Sequence, residues 1–213
     1  MPSATLVLAS GSPRRKELLE RAGFNVKVVP ATIDEEPIAG ETPVGYTKRL
    51  AREKVLSAVR RLQSTLYNTE NPGWSGEADI PRWVVGADTV VTIDDMLLGK
   101  PTDVQEAREM LIRLAGREHT VITGFSLFDL RRDREGLQAV TTRVKFKPLT
   151  RSEIEAYVAA GESMDKAGAY AVQGVGAYLA EEITGSYTNI VGLPLCQVIE
   201  MMQEMGATDI LPF

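Results

Sequence analysis

One acid stands where an apolar strand should run unbroken. Residues 83–91 read WVVGADTVV, and Asp88 interrupts them. A buried carboxylate without a partner costs several kcal/mol or neutralises itself. Asp88 must therefore meet a metal, a cation or a cleft. Gly86 and Ala87 are small and leave space beside it. A metal ligand, or a base that activates water, fits that position. An acid held by backbone N–H groups at a bulge is the structural alternative.

A second constellation lies at residues 8–16, LASGSPRRK. The apolar run before it reads as a buried strand. Ser10, Gly11 and Ser12 let a backbone approach a ligand closely. Ser12 suits a helix N-cap, and Pro13 suits the first helical position. The free N–H groups of a helix start favour an anion. Arg14 and Arg15 oppose the helix dipole at that end, but they match phosphate oxygens. The plain alternative is a strand–helix turn with surface arginines.

Three lysines extend the anionic theme. Lys54 sits on the edge of an apolar helix face, where a snorkelling lysine is ordinary. Lys100 stands in LGKP, and Lys166 opens a stretch of small residues. With Arg14 and Arg15 they would neutralise a polyphosphate. The acids of TIDEEP, residues 32–37, make a polar turn, or supply one carboxylate that shares a divalent cation with Asp88. Magnesium needs only one or two carboxylates plus phosphate oxygens and waters. Gln173, in AYAVQGVG, can donate and accept, as reading a base edge requires.

The elements that must position these groups alternate. Strands are expected at 5–9, 25–30, 83–93, 118–130, 139–148 and 177–182, and helices at 14–22, 44–66, 104–115, 151–160 and 189–205. In the second helix Val44, Leu50, Ala51, Val55, Ala58, Val59 and Leu62 recur at helical spacing. The segment TENPGWSGEADIP, 69–81, is the clearest loop and reads as a surface insertion. Residues 131–136 form a charged turn between two long strands, a hairpin. The fold class is α/β with a mixed sheet, because the hairpin argues against a purely parallel one.

Composition narrows the class. The 213 residues are 44% hydrophobic and 25% charged, as in an ordinary soluble domain. No apolar run is long enough to span a membrane, and the first residues show no signal-peptide core. One cysteine, Cys196, excludes an internal disulfide, fits a reducing compartment and reads as inert core. One histidine, His119, excludes a histidine-rich metal site. A net charge of −5 argues against wrapping nucleic acid. The basic residues instead suggest a local pocket for a small anion.

Together these pieces resemble a known family, the Maf-type nucleoside triphosphate pyrophosphatases. The matching segments are LASGSPRRKELL, the acids Asp34-Glu35, RLAREKV, VVGADTVV, LGKP, MLIRLAGREHTVITG, YVAAGESMDKAGAYAVQG and GSYTNIVGLPL. They cover nearly the whole chain, read as a single domain over 1–213. The resemblance implies helices flanking a central mixed sheet, with two lobes around a deep cleft, related to inosine triphosphate pyrophosphatases. It implies hydrolysis of a nucleoside triphosphate to the monophosphate and pyrophosphate, and the reducing compartment read from Cys196 makes the expected location the cytoplasm. Asp88 matches the proton acceptor. Glu35, Lys54 and Lys100 match active-site positions. Ser10, Ser12 and Arg14 match the phosphate loop. The expected cofactor is Mg²⁺ or Mn²⁺ on Glu35 and Asp88. Arg15, Thr89 and Gln173 match the branch that takes dTTP and UTP. A homodimer and a non-catalytic, nucleotide-binding role in cell division stay open as alternatives.

Overall fold

The computed structural model describes residues 4–66 and 81–212. The insertion expected at 69–81 lies, apart from Pro81, outside the described residues. The chain runs β1 (Leu6–Leu8), α1 (Pro13–Arg21), β2 (Val26–Val28), α2 (Pro43–Leu66), β3 (Trp83–Ile93), β4 (Met96–Leu98), α3 (Val104–Leu114), β5 (Glu118–Asp129), β6 (Arg134–Phe146), α4 (Arg151–Ala159), β7 (Ala180–Thr184), α5 (Tyr187–Val191) and α6 (Leu195–Met205). Among the described residues two short 3₁₀ helices, Ala167–Ala169 and Gly174–Tyr178, precede β7. The strands form one sheet in the order β2-β1-β3-β5-β6-β7, with β4 on β3. β1 pairs parallel to β2 and β3, whereas β4 and β7 run antiparallel to their partners. The mixed α/β sheet is the one expected.

The chain divides into two compact units. The first comprises Met1–Asp88, Gly124–Ala139 and Leu195–Phe213. Its core joins Val7, Ala9 and Val84 to Val55, Ala58, Val59 and Leu62 of α2. Two glycines let α2 lie close against the strands. A Cβ on Gly86 would stand 2.8 Å from Val55 and 3.1 Å from the Ala51 carbonyl oxygen. A Cβ on Gly124 would stand 2.4 Å from the backbone of Thr47. Either side chain would push the helix away.

The second unit comprises Thr89–Thr123 and Val140–Pro194. Its helix α4 begins with a capping box between Thr150 and Glu153, which satisfies two N–H groups of the first turn. Here His119 packs edge-on against Phe146 and Tyr170, with ring centroids 4.9 and 5.3 Å away. Its Nε2 lies 2.7 Å from the Tyr170 hydroxyl, and Nδ1 is buried without a partner. A second ring proton would have no acceptor, and burial pushes the imidazole pKa down to about 4. The free side chain titrates near 6.5, so between those values the unfolded chain binds more protons. This contribution is complete above about pH 6.5 and is lost as pH falls towards 4, amounting to about 3 kcal/mol. Thermal melts at neutral pH and at about pH 4.5 should show the loss, and His119→Leu should remove the part due to this residue.

Three expectations are corrected. The single helix at 189–205 is two helices. Gly192 closes α5 in a left-handed conformation, φ 119°, and Pro194 lacks the N–H that continuity requires. Cys196 is exposed rather than core, because the buried stripe of α6 runs through Val198, Met202 and Met205. A hydrogen bond to Glu200 raises its thiol pKa. The charged residues of the 131–136 turn already belong to β6 from Arg134 onward. Glu135 there accepts from Ser126 at 2.9 Å and pairs with Arg52 at 3.0 Å, so its charge is satisfied within a strand.

Candidate active site

The first unit gathers three of the predicted charged residues. Asp88 is almost fully buried, yet it is not alone: the Lys54 ammonium lies 2.6 Å from Asp88 Oδ1. The same ammonium lies 2.7 Å from Glu35 Oε1. Lys54 thus bridges two carboxylates that are distant in sequence. Close approach of α2 at Gly86 puts Lys54 beside β3, and the loop after β2 supplies Glu35. Side-chain exposure is 11% for both Lys54 and Asp88 and 53% for Glu35, so the cluster is dry at one end and wet at the other. The acids of 32–37 separate by role: Glu35 meets Lys54, while Asp34 accepts the N–H of Glu36 and shapes the turn.

The turn after β1 faces the same cluster electrostatically. Arg15 is buried and donates to Ser10 Oγ at 3.0 Å. Burial lowers the Arg15 pKa, and the charges of Asp88 and Glu35 oppose that effect. Pro13 occupies the start of α1, as expected, and Ser12 is the N-cap. The Ser12 hydroxyl makes no capping bond, however. Its N–H instead donates to Ser10 Oγ at 3.2 Å, which curls the turn. Arg14 is half-buried on the first helical turn.

Sequence reasoning missed Tyr46. Its hydroxyl donates to the Glu35 carbonyl at 2.8 Å. Burial, then the charges of Asp88 and Glu35, pushes its pKa up to about 12, so the phenol stays a donor. No periodic signal marks it, since its acceptor is a backbone oxygen.

Thr89, Lys100, Lys166 and Gln173 belong to the second unit. Thr89 Oγ1 lies 2.9 Å from Thr123 Oγ1, whose proton goes to the Asn189 carbonyl at 3.0 Å. Thr89 is therefore the donor in that contact. Asn189 in turn donates to the Val121 carbonyl and Thr142 Oγ1, which makes it the fixed end of the chain. Thr123 and Asn189 were not singled out in the sequence, although Asn189 lies in the GSYTNIVGLPL segment. Lys100 is exposed, and Lys166 is buried and pairs with Asp165. Their loops meet where the Gly168 N–H donates to the Gly99 carbonyl at 3.0 Å. Gln173 is half-buried at the start of the second 3₁₀ helix. Anchors flank it on both sides: Ala171 N–H donates to Tyr157, and Val175 and Gly176 N–H donate to Glu162.

The fold is mixed α/β, and its first unit holds a serine–arginine turn beside a carboxylate–lysine–carboxylate cluster. The Maf-like protein family model matches residues 5–205, and this chain belongs to that family. It is 48% identical to a dTTP/UTP pyrophosphatase of Geobacter sulfurreducens, covering 97% of this chain and 100% of that one. It is 44% identical to the dTTP/UTP pyrophosphatase of Clostridioides difficile, covering 93% and 94%. A solved dITP/XTP pyrophosphatase from Mycobacterium abscessus aligns over 98% of both chains, at 12% identity and a TM-score of 0.39, too weak a likeness to bear on function.

Proposed function

We propose that this protein hydrolyses dTTP and UTP to the monophosphate and pyrophosphate, acting as one functional domain in the cytoplasm. The observation that carries this reading is Lys54 held between Asp88 and Glu35 beside the buried Arg15. The names of the relatives at 43–48% identity support it. An ammonium has three donors. Two meet carboxylates, which leaves a third for a phosphate oxygen.

In the proposed reaction Asp88 accepts a proton from water. The water oxygen bonds to the α-phosphorus, and the bond from that phosphorus to the bridging oxygen breaks. Pyrophosphate leaves with the electron pair. Lys54, Lys100, Lys166, Arg14 and the N–H groups near Ser12 offset the charge of the triphosphate. Among the described residues no group of three histidine, cysteine or acidic side chains could hold a metal. Asp88 and Glu35, each with one oxygen on Lys54, would be the two carboxylates to hold Mg²⁺ or Mn²⁺, with phosphate oxygens and waters as its other ligands. Such a cation would supply charge neutralisation at the phosphates. Among the described residues no helix is long and apolar enough to cross a membrane.

Base choice is assigned to Gln173, with Thr89 and Arg15 shaping the pocket. Thymine and uracil share one N–H between two carbonyls, which an amide complements. Cytosine would leave mismatched polar groups, at about 1–3 kcal/mol, or roughly tenfold to a hundredfold in selectivity. Pyrophosphate release from a panel of triphosphates, with and without Mg²⁺, tests the reading. dTTP and UTP should lead dCTP, CTP and the purine triphosphates, and Gln173→Glu should erode that lead more than it slows turnover. A purine preference, or a ranking untouched by Gln173→Glu, defeats this account of specificity. Binding without pyrophosphate release would favour the regulatory alternative.

A further inference from the structure

Glu35 presents a problem of placement. It is an exposed residue on a segment with no regular secondary structure between β2 and α2. Within the segment Asp34 accepts the Glu36 N–H, and the backbone is also held from outside. Three α2 side chains hold it, each at a carbonyl oxygen. Arg61 donates to Pro30 at 2.6 Å, Tyr46 to Glu35 at 2.8 Å and Arg49 to Glu36 at 3.1 Å. Arg49 also grips both oxygens of Glu41 at 2.8 Å, near the far end of the segment. The Arg49 guanidinium carbon lies 5.5 Å from the centre of the Tyr46 ring, so the two side chains brace each other.

We infer that Tyr46, braced by Arg49, is a positioning residue that holds Glu35 against Lys54. The inference rests on the reading of Glu35 as a working carboxylate. Tyr46 acts through the backbone of Glu35 and makes no demand on the substrate. The contacts at Pro30, Glu35 and Glu36 read only carbonyls, whereas the Arg49 grip needs the Glu41 carboxylate. The helix that carries Lys54 therefore also sets where Glu35 meets it.

Tyr46→Phe removes the hydroxyl and keeps the ring. The expected result is a fivefold to tenfold loss, roughly one hydrogen bond's worth, carried by kcat, with KM within about twofold. The melting temperature should fall by less than about 4 °C. The same substitution on a Glu35→Gln background should change kcat by less than about twofold, because the positioned group is already gone. Equal losses on both backgrounds, or no loss in the single variant, overturn the inference. A second readout is independent of catalysis. Hydrogen exchange over residues 34–41 should quicken about fivefold or more in Tyr46→Phe, with β3 unchanged. Unchanged exchange there overturns the clasp even if the enzyme is active. Quickened exchange in a protein that hydrolyses no triphosphate sustains the clasp and defeats the functional reading instead.

Discussion

Asp88→Asn is expected to lower kcat about 10²–10⁴-fold while the protein stays folded. The amide keeps the volume of the carboxylate and loses its basicity. The fold should survive because Lys54 retains Glu35 as its counter-charge at 2.7 Å, so no ammonium is left buried without an anion. Steady-state pyrophosphate release at saturating dTTP reads the first effect, and a thermal melt reads the second. Activity within threefold of the unmodified protein would remove Asp88 from the mechanism. A collapse of the melt would recast it as a structural anchor.

Lys54→Met should damage both chemistry and stability. Loss of one preorganised cation at a site of developing negative charge costs about 10²–10³-fold, here in kcat/KM. Methionine fills much of the aliphatic space but leaves Asp88 buried with Glu35 facing it. Removing one partner of a fully buried ion pair costs about 3–5 kcal/mol. Glu35 is half exposed, so water relieves part of this, and a net loss of about 1–3 kcal/mol is expected. At this chain length that lowers the melting temperature by roughly 3–10 °C. Kinetics retained alongside a lowered melt would make Lys54 a structural residue. Lost kinetics with an unchanged melt would mean the two carboxylates do not need it to coexist.

The two halves of this site differ in how far the sequence exposed them. Asp88 was conspicuous because an acid inside WVVGADTVV breaks a pattern, and β3 spans the same residues as the expected strand. The arginines after Ser12 were conspicuous because they oppose the helix dipole. The meeting of Asp88 with Lys54 spans 34 residues and depends on how closely a helix approaches a strand. That approach is set by Gly86 and Gly124, and a glycine in a strand announces a close contact without saying with what. Tyr46 left less trace still, because backbone carbonyls are the same at every residue. At the other end of the chain, Gly192 and Pro194 were visible, but apolar residues on both sides continued the helical period across them. The resemblance to the Maf family reached the right family without any of this tertiary detail.

Gly86 and Gly124 also fix what kind of change this protein tolerates. At Gly124 the strand faces the helix backbone of Thr47 and Lys48 alone, and at Gly86 it faces the Val55 methyl and the Ala51 carbonyl. Most cores carry a cushion of rotamers that absorbs small shifts. Here that cushion is missing at Gly124 and is a single valine methyl at Gly86. Filling the space to raise stability, a common engineering route, is barred at these two positions because there is no space to fill. Improvement in heat tolerance must come from positions other than these two glycines.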